Sequence, residues 1–237
     1  MTLKIKFSIS FLVLFVTIIG CSKSNTDFSV ESSDGNTSVI IKNTEGKVTY
    51  ALFKNGKELV KNSEISILPN VLAEITNSSL NANNTNWKPV WGQFSEIKNE
   101  YNELVLDVLL EEVKAKLYVR VFNNGVGFRY EIEGFKEGNE AIFYCEYILN
   151  SSNELYSPNG ENPPLGPFSI ENLTKVKKQP RLMTPLVVEN SKTSYLSLLE
   201  SDLYVAPEFG TIKFKFNKDK KVLAATNKVK LKGTKVT

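Results

Sequence analysis

From Thr37 onward, apolar and polar residues alternate with a period of two, the spacing of strands that bury one face and wet the other. The alternation is sharpest where Leu117, Val119 and Val121 share one face while Tyr118, Arg120 and Phe122 share the opposite one. Asn123-Asn124-Gly125 follows, three residues that tolerate the positive φ of a tight turn, and Val126, Phe128, Tyr130 and Ile132 then resume the pattern. This predicts a β-hairpin. Near the C-terminus Ile212, Phe214 and Phe216 alternate with Lys213, Lys215 and Asn217, again a strand with one solvated face. Further strands are predicted near Val39–Ile41, Val48–Lys54, Glu64–Leu68, Leu104–Leu110, Ala141–Leu149, Leu182–Glu189 and Tyr195–Leu199. Asn55-Gly56 marks another turn, and the residues from Thr226 onward read as a Lys-rich strand. Asn77 to Asn86 is rich in Asn, Ser and Thr, and Ser157 to Pro167 holds four prolines and two glycines, so both are predicted to be loops. Past the N-terminal apolar run no segment carries a helical period. Many short strands with almost no helix predict an all-β fold, a large two-sheet antiparallel β-sandwich.

The first residues follow a different rule. Lys4 and Lys6 precede an apolar run from Phe11 to Val16 that continues through Ile18 and Ile19 and stops at Gly20-Cys21. A positive start and a short apolar run mark a secretion signal, and the run is too short to cross a bilayer core of roughly 30 Å as a helix. Ile18-Ile19-Gly20-Cys21 resembles a bacterial lipobox, which makes Cys21 the lipid-bearing residue at the cleaved N-terminus; the other reading is an ordinary thiol behind a conventional signal peptide. Ser22-Lys23-Ser24-Asn25-Thr26 is polar and has no period, as in a flexible tether. The expected organisation is therefore a leader at 1–20, a tether at 21–27 and one β domain at 28–237, in an exported, membrane-anchored lipoprotein of the periplasm or outer membrane.

Charge and composition narrow the chemistry. The net charge of the 237 residues is +3, of which Lys4 and Lys6 carry two, so the mature part is nearly neutral and nucleic acid is not an expected partner. Cys145 is the one cysteine besides Cys21, which leaves no intrachain disulfide once Cys21 is acylated; its expected role is that of a small buried apolar residue. The chain has no histidine. Histidine triads, histidine bases and histidine metal sites are thereby excluded, and carboxylates remain as the groups for acid–base or metal chemistry. The pairs Glu111-Glu112 and Glu131 with Glu133 read as solvated surface: strand neighbours point to opposite faces, and the second pair lies beside a strand end. Trp87, Trp91 and Tyr101 could offer apolar ring faces to the C–H face of a sugar, or could pack against the sheets.

The segment Arg120-Val121-Phe122-Asn123-Asn124-Gly125-Val126-Gly127-Phe128-Arg129-Tyr130 is similar to a hairpin of the N-terminal sandwich of glycoside hydrolase family 97. Trp91-Gly92 and Tyr101-Asn102-Glu103 upstream, then Thr184-Pro185-Leu186 and Tyr195 to Leu203 downstream, resemble further elements of that domain in the same order, and Ser33-Asp34-Gly35 stands where the family begins. Ser201 replaces a smaller residue of the family pattern, Tyr204 is displaced, and Ser63 to Pro69 lacks the usual Leu-Gly-Leu. The resemblance implies a galactose-mutarotase-like supersandwich that serves an α-glucosidase or α-galactosidase, with an α-linked oligosaccharide as ligand. The catalytic carboxylates of such enzymes belong to a (β/α)₈ barrel, expected here from sequence encoded downstream, so no hydrolysis is expected of this chain alone and no catalytic residue is assigned to it. The resemblance also implies a calcium ion, with Glu200 as the counterpart of the one metal-binding glutamate that the sandwich contributes. A strand-end carboxylate paired with an Arg or a backbone N–H is the other reading of Glu200. Glu161-Asn162-Pro163 resembles a segment facing the substrate cleft, which makes Glu161, with Trp91, the candidate carbohydrate contacts. Two alternatives stay open: a free-standing carbohydrate-binding envelope lipoprotein, and a purely structural one. Membrane contact is expected through the lipid anchor only.

Overall fold

The computed structural model describes residues 27–134, 138–201, 211–230 and 235–236. The leader, Cys21, the tether up to residue 26 and Asp202, Leu203 and Tyr204 lie outside the described residues.

The strands are β1 Phe28–Glu31, β2 Thr37–Thr44, β3 Lys47–Lys54, β4 Lys57–Ser66, β5 Ala73–Trp87, β6 Ile97–Leu110, β7 Val113–Phe122 and β8 Gly125–Glu133. They continue as β9 Glu140–Tyr147, β10 Glu154–Asn159, β11 Asn162–Ser169, β12 Leu186–Ser191, β13 Ser194–Leu198, β14 Lys213–Asn217, β15 Val222–Lys230 and β16 Lys235–Val236. The expected antiparallel all-β sandwich forms, its strands grouped in three hydrogen-bonded ladders: β1-β2-β3-β4-β9-β15-β14, β11-β10-β12-β13 and β16-β8-β7-β6-β5. Strands β1 to β3 of the seven-stranded sheet pack on β5 to β7 of the five-stranded one.

Alternation decides what lies between them. Leu117, Val119 and Val121 are fully buried, as are Leu106 and Ile132, while Tyr118, Arg120 and Phe122 point outward. Ring contacts and hydroxyls fix the spacing of the sheets: Tyr50 of β3 packs on Phe128 of β8 with centroids 4.8 Å apart, and the Tyr130 hydroxyl of β8 donates to the Ile65 carbonyl of β4 at 3.1 Å. Cys145 is buried in this core and free, and burial pushes its thiol up to about 11, as expected of an inert packing residue.

Four expectations are corrected. Asn77 to Asn86 is not a loop but the middle of β5, paired along its length with β6 from Ala73↔Leu110 to Trp87↔Ile97. Its polar composition reflects an edge strand with solvent on both sides, and the ladder's backbone hydrogen bonds override side-chain propensity. Ser157 to Pro167 is not a loop either. It runs through β10 and β11, which pair with two register shifts; Pro163, Pro164 and Pro167 are tolerated because β11 is an edge strand, and Pro158 lies beyond the last β10–β12 pair, Tyr156↔Val187. Gly166 sits there at φ +120°, and a Cβ would collide with the Leu155 carbonyl. The sequence also hid a short helix, α1 Ile170–Lys175, N-capped by Ser169, whose hydroxyl accepts the Asn172 N–H at 3.1 Å. Six residues are too few to express a period. Glu111 and Glu112 occupy the turn between β6 and β7 rather than a strand, with Glu111 at φ +53°, and both are exposed. Among the described residues no helix is long and apolar enough to cross a membrane.

The central strand β7 sets the energetic scale. Leu117 is fully buried at the middle of the five-stranded sheet. Leu117→Ala should destabilise the chain by about 2 to 5 kcal/mol, seen as a lower urea midpoint with an unchanged slope.

Candidate functional site

Four sequence motifs take their places in the structure, three of them against partners that their spacing alone did not reveal. The first is a turn. In Ser33-Asp34-Gly35 the Asp34 carboxylate accepts the Ser32 hydroxyl at 2.6 Å and the Asn36 N–H at 3.0 Å, which holds its pKa down at about 2. The Asp34 N–H in turn donates to the Asn123 side chain at 3.2 Å, and Lys54 donates to the Asn123 carbonyl at 2.7 Å, so this turn braces the hairpin at 123–125.

The second is Tyr101-Asn102-Glu103, whose residues divide between the two faces of β6. Asn102 points inward and donates to the Glu31 carbonyl at 2.7 Å, tying β1 to the sheet. Tyr101 and Glu103 point outward to a single partner: the Arg120 guanidinium lies 4.6 Å above the Tyr101 ring and donates to Glu103 at 2.6 Å. Tyr101 also packs on Phe122 at 5.2 Å, so its ring is occupied within the sheet.

The third is Trp91-Gly92. Strand β5 ends at Trp87, and the connection to β6 carries Val90, Trp91 and Phe94 into solvent at 99%, 87% and 66% exposure, with Trp87 half exposed at its base. Apolar side chains gathered in one loop at such exposure mark a contact surface. Of the three aromatic candidates, Trp87 and Trp91 therefore present free ring surface and Tyr101 does not.

The fourth joins Thr184-Pro185-Leu186 to the strand carrying Glu200. Glu200 follows β13 and is half buried; one carboxylate oxygen accepts the Ile212 N–H at 2.7 Å and the other the Thr184 hydroxyl at 3.4 Å. Leu198 just before it is buried, but Leu199 and Tyr195 are exposed, so the run leading to Glu200 is an edge strand with one wet face rather than a buried one. Glu161 is exposed in the tight turn joining β10 to β11. The registers Tyr156↔Val187 and Leu186↔Leu198 put this turn and Glu200 at the same end of the four-stranded sheet, whereas Trp91 extends from the five-stranded one.

A calcium ion prefers six to eight oxygen ligands. Glu200 is a suitable hard donor, beside the Thr184 hydroxyl, yet no group of three or more His, Cys, Asp or Glu side chains gathers as a metal site among the described residues. Glu131, read from sequence as plain solvated surface, is engaged by the Tyr118 hydroxyl and by Arg129, both at 3.0 Å.

Comparison with known proteins places these motifs in a family. Residues 30–233 match the family described as Glycosyl-hydrolase 97 N-terminal. A retaining alpha-galactosidase of Bacteroides thetaiotaomicron is 26% identical over 216 residues, covering 82% of this chain and 32% of that enzyme. A glycoside hydrolase family 97 enzyme of Pseudoalteromonas sp. strain K8, solved with acarbose, superposes with a TM-score of 0.67 at 17% identity over 86% of this chain and 35% of its own. A beta-arabinopyranosidase superposes at 0.66 with 14% identity, covering 89% and 39%. The chain spans about a third of the length of these relatives, and it belongs to the glycosyl-hydrolase 97 N-terminal family as a β-sandwich module of that enzyme class.

Proposed function

We propose that this module presents Trp91 and Glu161 to an α-linked oligosaccharide, and Glu200 to a calcium ion, at a cleft completed by a catalytic (β/α)₈ domain. The observation that carries the reading is the loop between β5 and β6, which leaves Val90, Trp91 and Phe94 in solvent although the hydrophobic effect favours burying them. A pyranose offers an apolar C–H face to an indole ring and hydroxyls to a carboxylate, and Glu161 is exposed and available to accept them. The alpha-galactosidase relative supports an α-glycoside as the ligand class. Catalysis itself needs two carboxylates flanking the glycosidic bond, which the catalytic domain would supply. Cys21 anchors the module to the envelope by its lipid, which keeps it at the surface where oligosaccharides arrive.

Each element has its own test. With the full chain assembled with the catalytic domain, Trp91→Ala should raise KM for an α-linked trisaccharide about tenfold, the loss of one stacking contact, with little change in kcat. An unchanged KM would remove Trp91 from the binding surface. Glu200→Gln keeps an oxygen for the Ile212 N–H and removes the charge, so the chain alone should lose less than about 1 kcal/mol, while the assembled enzyme should lose its calcium-dependent rise in melting temperature. A loss of several kcal/mol from the chain alone would make Glu200 a structural residue and withdraw it as a ligand. Cys21→Ser should release the protein from the membrane fraction or leave it unprocessed, since it removes the proposed lipid attachment; persistence in carbonate-washed membranes would contradict the anchor.

A further inference from the structure

The outward face of the five-stranded sheet is ordered in rows that the strand registers define. The pairs Asp107↔Lys116 and Lys116↔Glu131 set one row across β6, β7 and β8. The adjacent row, two residues along, aligns Leu109 with Lys114, and Glu133, two residues past Glu131 on β8, lines the same cleft. These rows line a cleft of about 450 Å³, within the size range of small-molecule sites. It spans three strands, about 10 Å, by two rows, about 7 Å.

Its chemistry is specific in three ways. Charge is nearly balanced: the carboxylates of Asp107, Glu131 and Glu133 line the cleft with the cations of Lys114 and Lys116, and Arg129, paired with Glu131 from outside the lining, offsets the remaining negative charge. Donors and acceptors alternate along each row, while Leu109 adds an apolar patch to the cleft. The polar groups are also held in place before any ligand arrives. Asp107 is fixed by Lys116 and by the Asn77 amide at 3.1 Å. Glu131 is fixed by Arg129 and the Tyr118 hydroxyl, and the Arg129 guanidinium is itself stacked 4.5 Å over the Tyr118 ring. Side chains already ordered lose little entropy on binding. Cross-strand pairs that served stability alone would not require a cleft beside them.

The geometry points to a second saccharide-binding subsite on this face, for a neutral pyranoside whose adjacent hydroxyls bridge the Asp107–Lys116–Glu131 row while its C–H face rests on Leu109. It rests on reading the chain as a carbohydrate-handling module but not on the Trp91 contact, since it lies on β6 to β8 rather than on the loop beyond β5. A neutral ligand is favoured because alternating donors and acceptors of zero net charge satisfy hydroxyls, which both give and take hydrogen bonds.

The test is amide NMR of the full chain titrated with maltotriose and, separately, raffinose. The expected result is saturable shifts at residues 107–109, 114–116 and 131–133 with a dissociation constant in the millimolar range. Lys116→Ala and Glu131→Gln should each weaken them about tenfold, with denaturant midpoints showing both variants folded, and Trp91→Ala should leave them in place. Absence of saturable shifts at these amides, shifts indifferent to both variants, or larger shifts with inorganic phosphate or calcium chloride than with sugar would each overturn the subsite. That failure is separable from failure of the loop contact, which is read by the KM of Trp91→Ala.

Discussion

The hydroxyl of Tyr50 is buried where the two large sheets meet, and a buried hydroxyl without a partner would cost stability rather than add it. It donates to the Glu146 carbonyl at 2.7 Å, and the Cys145 thiol donates to it at 3.6 Å. Its ring packs on Phe128 across the sandwich and edge-on against Tyr147, which reaches Phe214 in turn. Burial drives the Tyr50 pKa well above the ordinary tyrosine value, so it stays a neutral donor throughout the accessible pH range. One satisfied hydroxyl thus ties β3 to β9, and its ring sets the distance to β8. With Phe128 fixed inward, period two sends Arg129 and Glu131 outward, and every row on the outer face inherits its position from this contact.

That dependence explains why one sheet carries two kinds of surface. A slip of one residue in β7 would place Tyr118 and Arg120 in the core and Leu117 and Val119 in water, so the hydrophobic term fixes the register. The outer face is then free to vary in chemistry but not in geometry. Arg120 and Arg129 each take one ring and one carboxylate as partners, part-buried pairs that order long side chains which would otherwise be mobile.

The parts of the fold legible in the sequence were those in which one face is buried. The hairpin through Asn123-Asn124-Gly125 was legible because alternation resumes on both sides of it, although none of the three turn residues takes the positive φ expected there. Strand β5 was not, since from Asn77 to Trp87 its side chains are exposed or nearly so on both faces and no hydrophobic period can arise; its existence is decided by the partner strand. Strands β10 and β11 were masked by prolines, three that the edge strand β11 accepts and Pro158 past the paired part of β10. Of the site, the motif residues were visible as a series but not their partners. Arg120 meets Tyr101 and Glu103 from some 17 residues away, and Glu200 finds the N–H of Ile212, contacts that follow from register and chain return rather than from local spacing.

Glycine placement on the outer face carries the argument one step further. Gly125 and Gly127 face Phe122 and Arg120 across β8 and β7, yet neither has a positive φ, and a Cβ at either would meet nothing within 4 Å. Backbone conformation and packing therefore do not require glycine at these two positions, although glycine weakens a strand. What the missing side chains change is relief: the β8 side of Arg120 and Phe122 is left open beside the rows of Lys116 and Tyr118. Strand propensity is thus given up at two positions that neither conformation nor packing reserves for glycine, next to side chains already locked by rings and carboxylates.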